Sequence, residues 1–122
     1  MFFAEHDLPW SITQERNQAN YLHAAILRDR QVIAYGQLVP QSDRIYQICQ
    51  MVVKSEDRGL GLGRKILSFL IVEAKKAQAV SLTLNARLTA VGFYQKLGFE
   101  IYGAPFPSTT TQVMHIAMHQ SL

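Results

Sequence analysis

The sequence predicts an α/β (α+β) fold: a mixed, mostly antiparallel sheet flanked by helices. Three observations carry that expectation. Apolar segments of strand character at 21–28, 31–39 and 44–54 are joined by turns of a few residues, the pattern of an antiparallel meander. Beyond the third segment, Ile66, Leu67, Leu70, Ile71 and Ala74 recur at helical spacing. A helix that crosses between two strands makes those strands parallel neighbours, so a further strand at 80–84 should lie parallel to 44–54.

Taken in order, the polar stretch from Ser11 to Asn20 predicts a short helix or loop. Tyr21 to Arg28 is a strand, closed by a turn at Asp29-Arg30-Gln31. Gln31 to Val39 is the next, ended by Pro40, with a turn at Gln41-Ser42-Asp43. Arg44 to Lys54 is rich in Ile, Val and Tyr, residues that suit a pleated surface. The helix runs from Gly61 to Ala77. Val80 to Leu84 is a strand, and Thr89 to Leu97 a helix that stops at Gly98, a glycine C-cap. Glu100 to Gly103 starts another strand. Ala104 to Thr111, with Pro105 and Pro107, is a loop, and Gln112 to His119 the last strand. No repeat, linker or low-complexity tract divides the chain. Its 122 residues, 48% of them hydrophobic, are expected to form one domain over 1–122.

The most informative run is Arg58-Gly59-Leu60-Gly61-Leu62-Gly63-Arg64, between a strand and an amphipathic helix. A glycine-rich turn there leaves N–H groups unpaired at the positive end of the helix dipole, a ready site for phosphate. The dinucleotide spacing G-x-G-x-x-G fails, because Arg64 or Ile66 stands where its last glycine belongs. The triphosphate loop fails too, lacking its lysine and hydroxyl. The alternative is a tight turn that binds nothing.

What fits is R-x-x-G-x-G: Arg58, Gly61 and Gly63. This resembles motif A of the GNAT family of N-acetyltransferases, which cradles the pyrophosphate of coenzyme A. Asn85-Ala86-Arg87-Leu88-Thr89-Ala90-Val91-Gly92-Phe93-Tyr94-Gln95-Lys96-Leu97-Gly98-Phe99 follows a strand and resembles the family's motif B, a short helix and then F-Y-x-K-L-G-F. Both stand in family order with one helix between them, and the resemblance covers residues 20–103. At the ends, Ala4-Glu5-His6-Asp7-Leu8-Pro9-Trp10 resembles the V-E-Q-x-x-P-Y/W stretch of ElaA-type acetyltransferases. His115-Ile116-Ala117-Met118 resembles their P-H-x-x-M strand, with Met114 in place of the proline.

The resemblance implies the acyl-CoA N-acyltransferase fold, acetyl-CoA as cofactor, and transfer to a primary amine by direct attack in a ternary complex. That fold normally opens with a strand and a helix, and both are expected to be missing here because Met1 stands almost at the V-E-Q stretch. In the family the pantetheine arm pairs with main-chain groups at positions matching Met51, Val52 and Val53. Amides of Gly59, Leu60, Gly61, Leu62, Gly63 and Arg64 are expected to hold the pyrophosphate. The Arg58 and Arg64 side chains either add charge there or are solvated surface arginines. Tyr94 matches the family tyrosine that protonates the departing thiolate; its plain alternative is a core aromatic beside Phe93, Leu97 and Phe99. Asn85 matches the asparagine that contacts the cofactor arm, or else is a helix N-terminal cap or a turn residue.

The general base stays open among Glu5, Gln50 acting through water, His115 and His119; water alone is a further route. Imidazole has the right intrinsic range for such work, although most strand histidines do no chemistry. Cys49 lies near the expected cleft, and a buried cysteine is usually inert. No cluster has metal-ligand spacing.

One cysteine, no apolar run near the roughly 20 residues that span a bilayer, and Glu5 and Asp7 close behind Met1 suggest a cytoplasmic chain with no signal peptide. The net charge of +3 is too mild, and too unclustered, to suggest nucleic-acid binding. The rival of a catalytic role is a non-catalytic coenzyme A-binding or scaffold protein of the same fold. The acceptor, a small-molecule or peptide amine, is unspecified. A sheet lacking its opening strand exposes an edge at 21–28, which predicts a homodimer paired or packed across it.

Overall fold

The computed structural model describes residues 2–4, 11–17, 20–42 and 44–122. Among these residues nine strands form one sheet. Strands β1 (Phe2–Ala4), β2 (Ser11–Arg16), β3 (Leu22–Arg28), β4 (Gln31–Pro40) and β5 (Ile45–Val53) lie side by side, each antiparallel to the last. Helix α1 (Leu62–Lys76) then crosses to β6 (Ser81–Arg87), which runs parallel to β5. A short helix α2 (Val91–Lys96) and strands β7 (Glu100–Ile101), β8 (Phe106–Pro107) and β9 (Met114–Ser121) complete the chain. β9 pairs antiparallel with β6 and also carries β7 and β8. The meander and the parallel crossover both follow the expectation.

The first departure is at Ser11–Arg16, a strand rather than a helix or loop. Its residues are polar because it lies toward the sheet's margin, but its backbone pairs with β3 along its whole length, from Ser11↔Leu27 to Arg16↔Leu22. Pairing with a neighbour decides the state, and local polarity does not. It follows that β3 is no exposed edge: the expected bare edge at 21–28 is covered by β2, and β1 covers β2. The ElaA-like stretch falls mostly on residues 5–10, outside the described residues, as does Asp43 of the second turn.

The other departures are shifts of boundary. β6 continues to Arg87 because β9 supplies partners to its end, so Asn85 lies within a strand opposite Ala117 and caps no helix. The second helix begins as a 3₁₀ turn, Leu88–Ala90, before α2. The proline-bearing loop includes β8, which pairs with β9 through Phe106↔His115.

α1 lays one face on the sheet. Leu62, Ile66, Leu67, Leu70 and Ala74 are buried against Leu22, Ala24, Ile26, Leu38 and Ile48. Each large side chain buried this way contributes about 1.5–3 kcal/mol of transfer free energy. The helix sits close because Gly36 of β4 has no side chain. A Cβ there would lie 2.8 Å from Ile66 Cγ2 and 2.7 Å from Met51 Sδ.

Gly36 also faces the irregularity that makes the site. The β4–β5 register shifts between Tyr35↔Val52 and Gln37↔Cys49, so Gln50 and Met51 both stand opposite Gly36. That is a β-bulge, and Gln50 adopts the left-handed backbone it requires, with φ of +54°. A bulge bends its strand. β5 pairs with β6 only from Ile45 to Gln47, against Ser81 to Thr83. Beyond that the two strands separate, and the end of β5 has no strand partner on the β6 side among the described residues.

Candidate active site

The splayed strands open a cleft of about 750 Å³. One wall is Met51, Val52 and Val53 at the end of β5. The floor is Gly59, Gly61, Leu62, Gly63 and Arg64, with Arg58 beside them, and the far wall is Arg87, Thr89, Ala90, Phe93 and Tyr94. Ten of the twelve residues expected to hold cofactor therefore line one space. Leu60 and Asn85 do not. Leu60 is 62% exposed on the outside of the loop. Asn85 lines the space beyond Tyr94 instead.

The loop is built to leave donors free. Gly59 and Gly61 hold φ of +88° and +76°, where L-residues are strained. A Cβ on either would meet nothing within 4 Å, so their backbone is open to an approaching group. Gly61 is the N-cap of α1, no side chain caps that end, and its first turn holds no acidic residue. The first-turn N–H groups of a helix have no partner within it. Arg58, Arg64 and Arg87 bring positive charge to the walls. Arg58 is exposed, and its Nε donates to the Val53 carbonyl at 3.4 Å.

Among the described residues the single carboxylate in the cleft is already paired with a cation. Asp57 is 3% exposed and accepts two hydrogen bonds from the Arg28 guanidinium, at 2.6 and 3.1 Å. This pair ties the 3₁₀ turn Ser55–Asp57 to the end of β3 and fixes the chain just before the glycine loop. Arg28 and Asp57 stand 29 residues apart, and no local pattern announces such a pair. Open glycine backbone, unpaired donors, surplus positive charge and an apolar arm-sized wall together suit a pyrophosphate carried on an extended chain.

Tyr94 is half-buried on α2, edge-on to Phe93 at 5.1 Å and to Phe99 at 6.0 Å between centroids. It is thus partly the packed aromatic that its sequence allows. It also lines two cavities at once: the cleft, and a smaller space of about 240 Å³ beyond it. Burial pushes its phenol pKa up, so the hydroxyl keeps its proton throughout the neutral range.

The smaller space also meets Gln50, Asn85, Arg87 and His115. It adjoins a third opening of about 360 Å³, whose lining adds Gln47, Cys49, Ser108 and Thr109. Burial also raises the Cys49 thiol, which makes it a poorer nucleophile. Of the expected base candidates, Gln50 and His115 face this side. His119 lines none of these spaces and stacks edge-on with Tyr102. Glu5 lies outside the described residues. Among those residues no three His, Cys, Asp or Glu side chains gather as metal ligands would, and no helix is long and apolar enough to cross a membrane.

Sequence reasoning missed Arg87, Thr89 and Phe93 as lining residues. Arg87 carried a signal, since it stands two residues after Asn85 on the same strand and so shares its face. Ser108 and Thr109 carried none.

A family model described as an acetyltransferase (GNAT) domain matches residues 3–120. An uncharacterized acetyltransferase of Streptococcus pyogenes is 23% identical over 90 residues, covering 74% of this chain and 62% of the relative. The chain thus spans under two thirds of that relative's length. Among solved structures, Escherichia coli ElaA superposes with a TM-score of 0.74 at 18% identity, over 83% of this chain and 68% of that one. An aminoglycoside 6'-N-acetyltransferase complexed with coenzyme A also reaches 0.74, at 17% identity, over 86% of this chain and 74% of that one. These likenesses concern the fold, and they do not single out the ElaA type.

Proposed function

Because this chain belongs to the GNAT acetyltransferase family, we propose that it transfers an acetyl group from acetyl-CoA to a primary amine, by direct attack in a ternary complex. The observation that carries this reading is the position of Tyr94, on the wall shared by the positively lined cleft and the polar space behind it. Reactants bound in those two spaces would meet beside Tyr94.

The chain's own residues divide the work. Open amides of the glycine loop hold the pyrophosphate, and Arg58, Arg64 and Arg87 add charge. The free edge of β5 at Met51, Val52 and Val53 offers main-chain groups to the pantetheine arm. Acetyl-CoA supplies an acetyl group on a thioester, whose sulfur needs a proton as it departs. Tyr94 holds that proton at Oη, and the phenol is most useful once negative charge develops. Asn85 faces the acceptor side, where its amide orients the amine.

Incubation with acetyl-CoA and a panel of amines, read by release of free thiol, tests the reading. Binding without turnover on every amine would favour the rival, a non-catalytic coenzyme A-binding scaffold. The finer assignments stand with this proposal: residues 1–122 as one acetyltransferase unit, a cytoplasmic setting, a small-molecule or peptide amine as acceptor, and kinship nearest the ElaA type, supported by His115-Ile116-Ala117-Met118 on β9. A homodimer is part of it on new ground, since the outermost strand is β1 rather than β3, and sheet edges are usually paired or covered. Light scattering should give twice 13.8 kDa; a monomer mass that persists at micromolar concentration rejects it.

A further inference from the structure

We infer that His115 is the catalytic base: its Nε2 takes the proton that the acceptor amine loses, from the wall of the space behind Tyr94. The inference rests on the amine-transfer reading above.

The geometry settles the tautomer. His115 Nδ1 lies 2.8 Å from the Val113 carbonyl oxygen, which can only accept, so Nδ1 carries the ring's proton. Nε2 is then a lone pair, with no protein partner among the described residues. The ring is held in place. Its backbone is paired to Arg87 on one side and Phe106 on the other, and the Phe106 ring stacks on it at 28°, with centroids 6.2 Å apart. An imidazole pinned through Nδ1 with Nε2 open is the arrangement a general base needs.

Location selects it from the other candidates. His115 lines the small space it shares with Tyr94, and also the outer opening through which an amine would enter. Among the described residues no carboxylate lines either space. Gln50 has no basic nitrogen. Among the described residues the titratable and charged groups facing His115 are Arg87 from β6, Tyr94 from α2 and Cys49 from β5; β8 contributes none.

The proton balance closes. The amine nitrogen forms a bond to the acetyl carbon, and the carbon–sulfur bond breaks with its electron pair on sulfur. Nε2 takes one N–H proton and Tyr94 gives its own to sulfur. One proton passing from imidazolium to phenolate through water restores both residues.

Two measurements test this. The first uses the free protein: ¹⁵N NMR of the histidine rings, with His115 assigned by comparison with His115→Gln, should show Nδ1 protonated and Nε2 bare in the neutral ring. Protonated Nε2 overturns the inference. The second compares wild type with His115→Gln on glycinamide, a tripeptide with a free α-amine, spermidine and glucosamine. The variant's kcat should fall about 10²- to 10⁴-fold, with KM for acetyl-CoA within about twofold and the lost rate recovering toward alkaline pH as hydroxide takes the proton instead. Wild-type kcat in His115→Gln overturns the assignment alone. A wild-type protein that acetylates no amine in the panel overturns the amine-transfer reading, and this one with it.

Discussion

Replacing Gly61 with valine separates what the glycine loop costs the fold from what it does for a ligand. Gly61 holds φ of +76° and caps α1. A Cβ there meets nothing within 4 Å, so crowding within the free protein is not the penalty. The penalty is backbone strain, roughly 1–2 kcal/mol for an L-residue in the left-handed region, with a β-branched residue at the upper end. In a domain of this size about 1 kcal/mol moves Tm by roughly 4 °C, so Gly61→Val should melt about 4–8 °C lower. If the loop keeps its shape, the valine stands where a phosphate would approach. If it relaxes, the N–H groups turn away. Either way acetyl-CoA affinity should fall at least tenfold, about 1.4 kcal/mol. Gly63→Ala is the control: its Cβ would meet Phe93 Cζ and Val53 Cγ2 at 3.5 Å, ordinary contact, and Tm should hold or rise slightly. Circular dichroism gives the melting points and calorimetry the affinities. A Gly61→Val protein with unchanged Tm and unchanged affinity would refute the reasoning and the assignment of the loop.

Three further outcomes follow from the same geometry. Tyr94→Phe should lower turnover about 10²- to 10⁴-fold with little change in cofactor affinity. The wild type's alkaline fall in rate should lie above the ordinary phenol value of 10.0, since burial raises Tyr94, and should vanish in the variant; equal turnover would make Tyr94 structural. Gly36→Ala should overpack α1, at about 1–3 kcal/mol offset by up to about 1 from the stiffer unfolded chain, and a Tm no lower than wild type would mean that Met51 and Ile66 give way freely. Asp57→Asn should lower Tm by several degrees and weaken acetyl-CoA binding through the loosened glycine loop; unchanged values for both would remove the Arg28 pair from any role in positioning it.

What could be read in the sequence was local. The meander rests on short turns and alternating apolar residues, α1 on its spacing, and the glycine loop on three glycines between a strand and a helix. Each of these announces itself within about a dozen residues. What escaped depends on partners distant in the chain. Ser11–Arg16 is polar and becomes a strand only because β3 lies beside it. β6 outruns its apolar stretch because β9, some 30 residues on, continues the ladder to Arg87 and His115. The Arg28–Asp57 pair and the Phe106–His115 stack likewise join segments that no window brings together. Tyr94 was legible through its motif, but its standing between two cavities was not.

The bulge shows how little sequence such a site requires. Gln50 is an ordinary polar residue in a strand, and Gly36 reads as a minor weakness in another. Together they make one chemical device. With no side chain at Gly36, α1 packs down on β4, and the extra residue opposite it turns the end of β5 away from β6. That turn exposes backbone at Met51, Val52 and Val53 on the wall of the positively lined cleft. It also leaves Gln50 in the space with Asn85 and His115. Both halves of the site therefore depend on one register shift. A regular β5 would pair with β6 to its end, and the space now shared by Tyr94 and His115 would be filled by the sheet itself.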